Sequence, residues 1–305
     1  MVVCKDRGVE SLTVFVARQG DSIENQLAWL LGIPKDSISQ NATVTETPKD
    51  ARIDYFASAI LERIGIQPER PPVPDNAAML QKILSTFGTK FPTTLRFSAF
   101  ARETLPSFNV PAEPDQAIAA WLDQEEMLFR LFERHLVEIK MGDGFKSVDD
   151  FVSFSLSLHG RRKSRAGYSL ENHLQYMFET CKIRFSRAAV TENRAKPDYL
   201  FPGADEYHMP SFPDIYLTML GVKTSCKDRW RQVLSEAARI PEKHLVTLEP
   251  GITENQTSEM KSHSLRLVVP ATIFDTYTPT QRKWLMSLSD FVALVIDRQK
   301  LARMT

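Results

Sequence analysis

Between Ile183 and Pro270 short apolar runs alternate with helical patterns, and this alternation constrains the fold more than any other feature of the chain. The runs read IRFSRAAVTE, KPDYLF, LTMLGVKTS, HLVTLE and LRLVVP, and the fourth is apolar enough to be buried on both faces. A helix is predicted over Asp228–Ile240, between the third and fourth runs, and two more helices close the chain. Strands interleaved with helices bury their apolar faces as a sheet covered by helices, so the predicted class is α/β with a central mixed sheet.

Upstream the pattern is helical. SLTVFVAR (Ser11–Arg18) reads as a strand, followed by a helix opened by Asp21 or Ser22 and stopped by Gly32 and Pro34. Helices are predicted at Ile53–Ile64 and Asn76–Phe87, with the proline-rich Gln67–Asp75 as the connection between them. A second proline-bearing segment, Leu105–Asp115, opens a long amphipathic helix that runs to about Lys140. The main boundary is placed there, giving a mostly helical accessory region at 1–112 and an α/β domain at 113–305. Within the second part, a short helix capped by Ser147, a basic loop RRKSR (Arg161–Arg165) and a helix capped by Ser169 precede the first run.

Formal net charge is zero over 305 residues, so any affinity for nucleic acid must come from local clusters rather than a global field. Cys4, Cys181 and Cys226 form no CxxC pair and no zinc spacing, which fits free thiols in a reducing cytoplasm. No apolar signal core and no 18-residue apolar run occurs, so a cytoplasmic protein without a membrane partner is expected.

The chemistry concentrates in the second part. Pro197-Asp198 opens one run and Lys223 closes the next, so two neighbouring strand ends can bring a carboxylate and an ammonium to one sheet edge. Glu236, on the helix that follows, has the spacing to point back at that edge. Two carboxylates can hold a hard divalent cation with water in the remaining positions, and a lysine beside them can stabilise charge on a phosphate. Each residue also has a plainer account. Asp198 could be a turn carboxylate, Lys223 could snorkel, and Glu236 could pair with Arg239 on a helix surface.

The segments GFKSVDDF, RRKSRAGYSLENHL, KPDYLFPG, LTMLGVKTSCKDRWRQVLSEA, HLVTLEPG and LRLVVP resemble, in this order, the catalytic domain of EcoRII-like type II restriction endonucleases, in the CCGG group of the PD-(D/E)xK nucleases. The resemblance spans about Gly144–Pro270, and KTSCKDRWRQ is its most specific element. One departure from the wider superfamily is instructive. The usual acidic-x-Lys triplet reads Gly221-Val222-Lys223, so the strand acid is missing; in the CCGG group the following helix supplies it, and Glu236 matches that position.

The resemblance implies a PD-(D/E)xK fold and Mg²⁺-dependent cleavage of both strands of a palindromic CC…GG site by a homodimer in a bacterial restriction system. A cytosine methyltransferase would protect the same site without binding this chain. Asp198 and Glu236 would hold Mg²⁺, Lys223 would be the active-site lysine, and Glu171 would match a further acid near the metal. Glu171 equally suits the first turn of a helix capped by Ser169. Tyr207 matches a tyrosine close to the catalytic centre.

Lys227, Asp228 and Arg229 stand where the group keeps its base-reading triplet, and the chemistry suits guanine O6 and N7 and cytosine N4. Two cations at the positive end of a helix also ask for an anion nearby. Arg161, Arg162, Lys163, Arg165 and Arg231 are candidates for backbone phosphates, with a solvated basic loop as the alternative for the first four. Members that cut CCNGG or CCWGG cores flip central nucleotides onto a stacking platform, for which Trp121 is the candidate here, although a core position explains it equally. A longer site of the TCCNGGA kind follows if the accessory region reaches outer base pairs. A DNA-binding protein on a decayed nuclease fold and a structure-specific repair nuclease are the competing functions.

Overall fold

The apolar runs between Ile183 and Pro270 become five strands of one mixed sheet in the computed structural model, which describes residues 2–5, 12–15, 21–33, 54–66, 76–226 and 229–304. An N-terminal antiparallel pair, β1 (Val2–Lys5) and β2 (Leu12–Phe15), forms a separate two-stranded sheet. The main sheet has the order β3 (Ser186–Arg187), β4 (Tyr199–Phe201), β5 (Thr218–Lys223), β6 (Lys243–Thr247) and β7 (Leu265–Val268). The first three strands pair antiparallel and the last three parallel. β6 is buried throughout and β5 is buried until its last residue, Lys223, as central strands covered on both faces should be.

The helices follow their sequence signals where caps are strong. Asp21 caps α1 (Ser22–Leu30), Asp54 caps α2 (Tyr55–Arg63) and Thr93 caps α4 (Thr94–Glu103), while α3 spans Asn76–Phe87. α5 (Pro114–Asp143) starts with proline at its first position, where the missing N–H costs nothing. α6 runs from the Ser147 cap over Val148–Thr180. The short helices α7 (Ala204–His208) and α8 (Trp230–Val233) border β4 and β6, followed by α9 (Glu254–Ser262), α10 (Pro279–Arg282) and α11 (Leu288–Ala302).

Two apolar clusters organise the packing. The larger joins the sheet to α11, to the first turns of α5 and to Phe56 of α2, while the smaller packs α3 and α4 against the later turns of α5 through Ile83, Phe97, Phe100, Phe129 and Phe132. α5 therefore contributes to both. Its buried Asp115 accepts hydrogen bonds from the backbone N–H groups of Ala271, Leu288 and Ser289 and from the Ser289 hydroxyl, which ties the helix start to the C-terminal segments. No helix among the described residues is long and apolar enough to cross a membrane.

Two predicted elements differ. The short helix, basic loop and Ser169-capped helix are one continuous 33-residue helix, α6. Single glycines at 160 and 167 do not break it, and Arg165, Ser169, Asn172, His173 and Met177 recur at helical spacing on its buried face. Ser169 is therefore an interior buried residue, and Glu171 lies mid-helix rather than in a first turn. The predicted helix Asp228–Ile240 is reduced to α8, and Glu236 stands in the turn beyond it with Ala237 at φ +49°. Side chains from elsewhere hold the backbone groups of that turn, so the helix does not continue. The predicted linker Gln67–Asp75, Pro34 and the candidate base readers Lys227 and Asp228 lie outside the described residues.

Candidate active site

Antiparallel pairing of β4 and β5, with Tyr199 opposite Leu220, brings the residue before β4 to the end of β5. Asp198 Oδ2 accepts the Val222 N–H at 2.6 Å and the Lys223 ammonium at 3.2 Å. Both side chains are partly exposed, 25% for Asp198 and 20% for Lys223, so the pair is open to a ligand while the strands beneath it are dry.

Gly221 explains the missing strand acid. A Cβ there would lie 2.9 Å from Val233 Cγ2, because α8 packs its valine directly onto the strand at that point. No side chain fits at 221, and the second carboxylate arrives from beyond α8 as Glu236. Burial pushes the Glu236 carboxyl up to about 7, the Asp198 charge adds to the rise, and Lys223 and Lys243 oppose it. Glu171 is raised for the same first reason, burial, and again Asp198 adds to it while the Arg187 guanidinium opposes it. Three carboxylates and Lys223 thus share one electrostatic neighbourhood. Arg187, on β3, bridges to Glu171 at 2.5 Å and to Gln175 at 2.6 Å, and Tyr199 donates to the Glu171 backbone carbonyl at 2.8 Å.

The donor set suits an oxygen-ligated divalent cation. Glu236 Oε2 is buried without a hydrogen-bond partner among the described residues, and burial followed by the Asp198 charge raises the pKa of both Glu236 and Glu171, a cost that a cation between them would relieve. Among the described residues no three His, Cys, Asp or Glu side chains close to metal-binding distance. The fit is therefore a small carboxylate set completed by water, the form in which Mg²⁺ is usually held.

Behind the site, Glu249 fixes the exit from β5. Its Oε2 accepts the Cys226 N–H at 2.7 Å and the Ser225 hydroxyl at 3.2 Å, and Arg63 of α2 pairs with its Oε1 at 3.1 Å. Arg229 follows as an exposed residue whose N–H bonds to the Cys226 carbonyl at 2.8 Å. Arg231 is exposed, lies against the Trp230 ring and pairs with Glu259 at 2.7 Å.

Other expected residues are engaged elsewhere. Trp121 is 3% exposed and packs against Phe108, His173 and Tyr176, so it is a core side chain rather than an accessible stacking surface. Arg165 is buried, ion-paired to Glu126 and laid over the Phe129 ring, which corrects its assignment to a phosphate. Arg162 grips the buried Glu133 with Nε and Nη2, and Arg161 lies over Phe91; Lys163 is left exposed. The expected loop is a helix, and its turns place Arg162 and Arg165 against α5 and Arg161 against Phe91. Tyr207 is 1% exposed and donates to Glu192 rather than to a site carboxylate. Arg239 does not pair with Glu236 but with Asp214 and the carbonyls of Tyr207, Met209 and Phe212.

Arg187, Glu192, Lys243 and Glu249 were not apparent from sequence. Each stands in a stretch that reads as an ordinary charged strand end or turn, and only the tertiary pairing gives it a partner.

The EcoRII C terminal family model matches residues 129–292. Type II restriction enzyme EcoRII of Escherichia coli is 44% identical over 186 residues, which is 59% of this chain and 45% of that enzyme's length. This chain is thus similar to less than half of that relative. Among solved structures, metal-depleted Ecl18kI in complex with uncleaved, modified DNA superposes with a TM-score of 0.59 at 17% identity, covering 74% of this chain and 85% of the other. The PspGI restriction endonuclease in its substrate DNA complex gives 0.53 at 13% identity, covering 75% and 94%. At such identities the likeness establishes the fold, a restriction-endonuclease fold with a mixed sheet flanked by helices. With the family model matched over more than half of its length, a span that includes Asp198 and Lys223, the chain belongs to the EcoRII C terminal family.

Proposed function

We propose that this protein is a type II restriction endonuclease, a site-specific deoxyribonuclease that hydrolyses both strands of double-stranded DNA with Mg²⁺. The observation that carries this reading is the Asp198–Lys223 pair at the sheet edge, with Glu236 and Glu171 in the same electrostatic neighbourhood. Family membership and the 44% identity to a type II restriction enzyme support it.

Asp198 and Glu236, with Glu171 beside them, would hold the cation. When bound, the metal supplies positive charge to the scissile phosphate and acidifies water. Asp198 orients the Lys223 ammonium by accepting its hydrogen bond, and Lys223 in turn presents charge and a proton donor where negative charge develops. Burial of the strands below keeps this edge rigid.

The base-reading residues are Lys227, Asp228 and Arg229, and Glu249 anchors the backbone before them at Cys226. The site is a palindromic CC…GG sequence of the CCGG group, with a CCNGG or CCWGG core and TCCNGGA as the longer form, and its central nucleotides are flipped. Lys163, Arg161 and Arg231 serve the backbone. A two-fold site calls for a two-fold homodimer with one active site per subunit. The region 1–112 extends contact to outer base pairs or to the partner subunit. A cytosine methyltransferase of the same specificity protects the host, and the protein works in the bacterial cytoplasm.

Lys223→Ala tests the site assignment. Loss of one charge-stabilising group should lower the cleavage rate by at least about 10²-fold, with binding of a cognate duplex retained in a mobility-shift assay. Normal cleavage by Lys223→Ala would remove this edge as the active site.

A further inference from the structure

Glu236 reaches the site from a turn, not from a helix. Groups outside that turn hold several of its peptide groups, alongside its own bonds from the Glu236 N–H to Val233 and from the Ile240 N–H to Ala237. Ala237, directly after Glu236, has a left-handed backbone at φ +49°, a conformation an alanine keeps only when its surroundings impose it. Lys243, the first residue of β6, sends its ammonium back to the Ala237 and Ile240 carbonyls at 2.7 Å each. The Ala237 N–H donates to Thr191 Oγ1 at 3.3 Å, and the Ala238 N–H to Glu192 Oε2 at 3.0 Å. Glu192 is itself held by the buried Tyr207 hydroxyl, at 2.8 and 2.6 Å to its two oxygens. Every one of these contacts falls on the peptide groups that follow Glu236.

We propose that Lys243 and Glu192 are positioning residues that lock the Glu236 turn in the geometry in which its carboxylate can hold the metal. This rests on the reading of Glu236 as a metal-holding carboxylate. Lys243 is 6% exposed, and a buried ammonium is costly unless its protons are used. Here they serve two carbonyls of a single turn, where a strand residue usually leaves its side chain to a neighbouring strand or helix. Glu192 closes the turn from the other side, with Tyr207 fixing its orientation. Tyr207 thus acts on the site through Glu192 and the backbone at 238, without touching a reacting group.

Partners that orient a metal ligand through hydrogen bonds are commonly worth about 10–100-fold in metal affinity. Mn²⁺ binding to the full chain, followed by electron paramagnetic resonance of the free ion, provides the readout independent of cleavage. Lys243→Met keeps the apolar stem and removes the donors; its Mn²⁺ dissociation constant should rise by about 10-fold or more. The Mg²⁺ concentration for half-maximal plasmid cleavage should rise by the same factor. A purely structural lysine would lower the unfolding temperature and leave both metal constants in place, and that result overturns the proposal. If Lys243→Met does not fold, Glu192→Ala decides in its stead: weakened Mn²⁺ binding supports the proposal and unchanged binding overturns it. Glu236→Gln separates this inference from the reading beneath it. Unaltered Mn²⁺ binding by Glu236→Gln removes Glu236 as a ligand. Lost binding in Glu236→Gln with full binding in Lys243→Met removes only the positioning role.

Discussion

Glu236 carries opposed consequences for stability and for metal binding, both following from a carboxyl raised from 4.5 to about 7 by burial and by Asp198. A carboxyl whose folded pKa lies above its unfolded value favours folding in its protonated form. That contribution is complete below about 4.5 and is lost as pH rises through about 7, so ionised Glu236 destabilises the metal-free fold at pH 8. Glu236→Gln should raise the metal-free unfolding free energy at pH 8, by on the order of 1 kcal/mol once the group's partial exposure is discounted, and leave it nearly unchanged at pH 4. Equal shifts at both pH values would show that Glu236 is not strained by its neighbours. At this scale the sequence showed Asp198 and Lys223, since a Pro-Asp at one strand start and a lysine late in an apolar strand are visible along the chain. Lys243 and Glu192 were hidden because their chemistry lies in contacts that cross from one turn to another, which no local pattern encodes.

The central strands were the most legible elements, and the reason is packing: strands buried on both faces read as apolar runs, as β5 and β6 do. The two helices that differed did so for physical reasons absent from local propensity. RRKSR reads as a loop by charge, yet α6 continues through it because α5 offers Glu126 and Glu133 to its arginines. The helix after Lys223 has strong formers, yet α8 stops after Val233 because Thr191, Glu192 and Lys243 capture the backbone beyond it. α8 in turn depends on Gly221. Gly221→Ala should cost about 1–3 kcal/mol in urea unfolding, since the new methyl meets a well-packed valine. In Gly221→Ala/Val233→Ala the loss should fall below the sum of the two single losses, as expected for residues in contact. Additive losses would mean that the strand and α8 do not press on each other at this point.

At the scale of the whole molecule, the fold puts the Asp198–Lys223 pair at the end of β5 and the exposed Arg229 on the segment that leaves the same strand, so a few residues of backbone separate the proposed cleavage site from a proposed base reader. Glu249 joins this segment to Arg63 of α2, which makes the N-terminal helices part of the frame behind the site. Mg²⁺-dependent hydrolysis at a defined DNA sequence is the function proposed for this frame. Incubation of plasmid DNA with the protein and Mg²⁺, followed by sequencing of the product ends, tests it directly. The expected result is discrete fragments whose ends all share one palindromic sequence built on CC…GG, and none when EDTA is added. A smear, cleavage confined to flaps or mismatches, or DNA binding with no nicking at any Mg²⁺ concentration would contradict it.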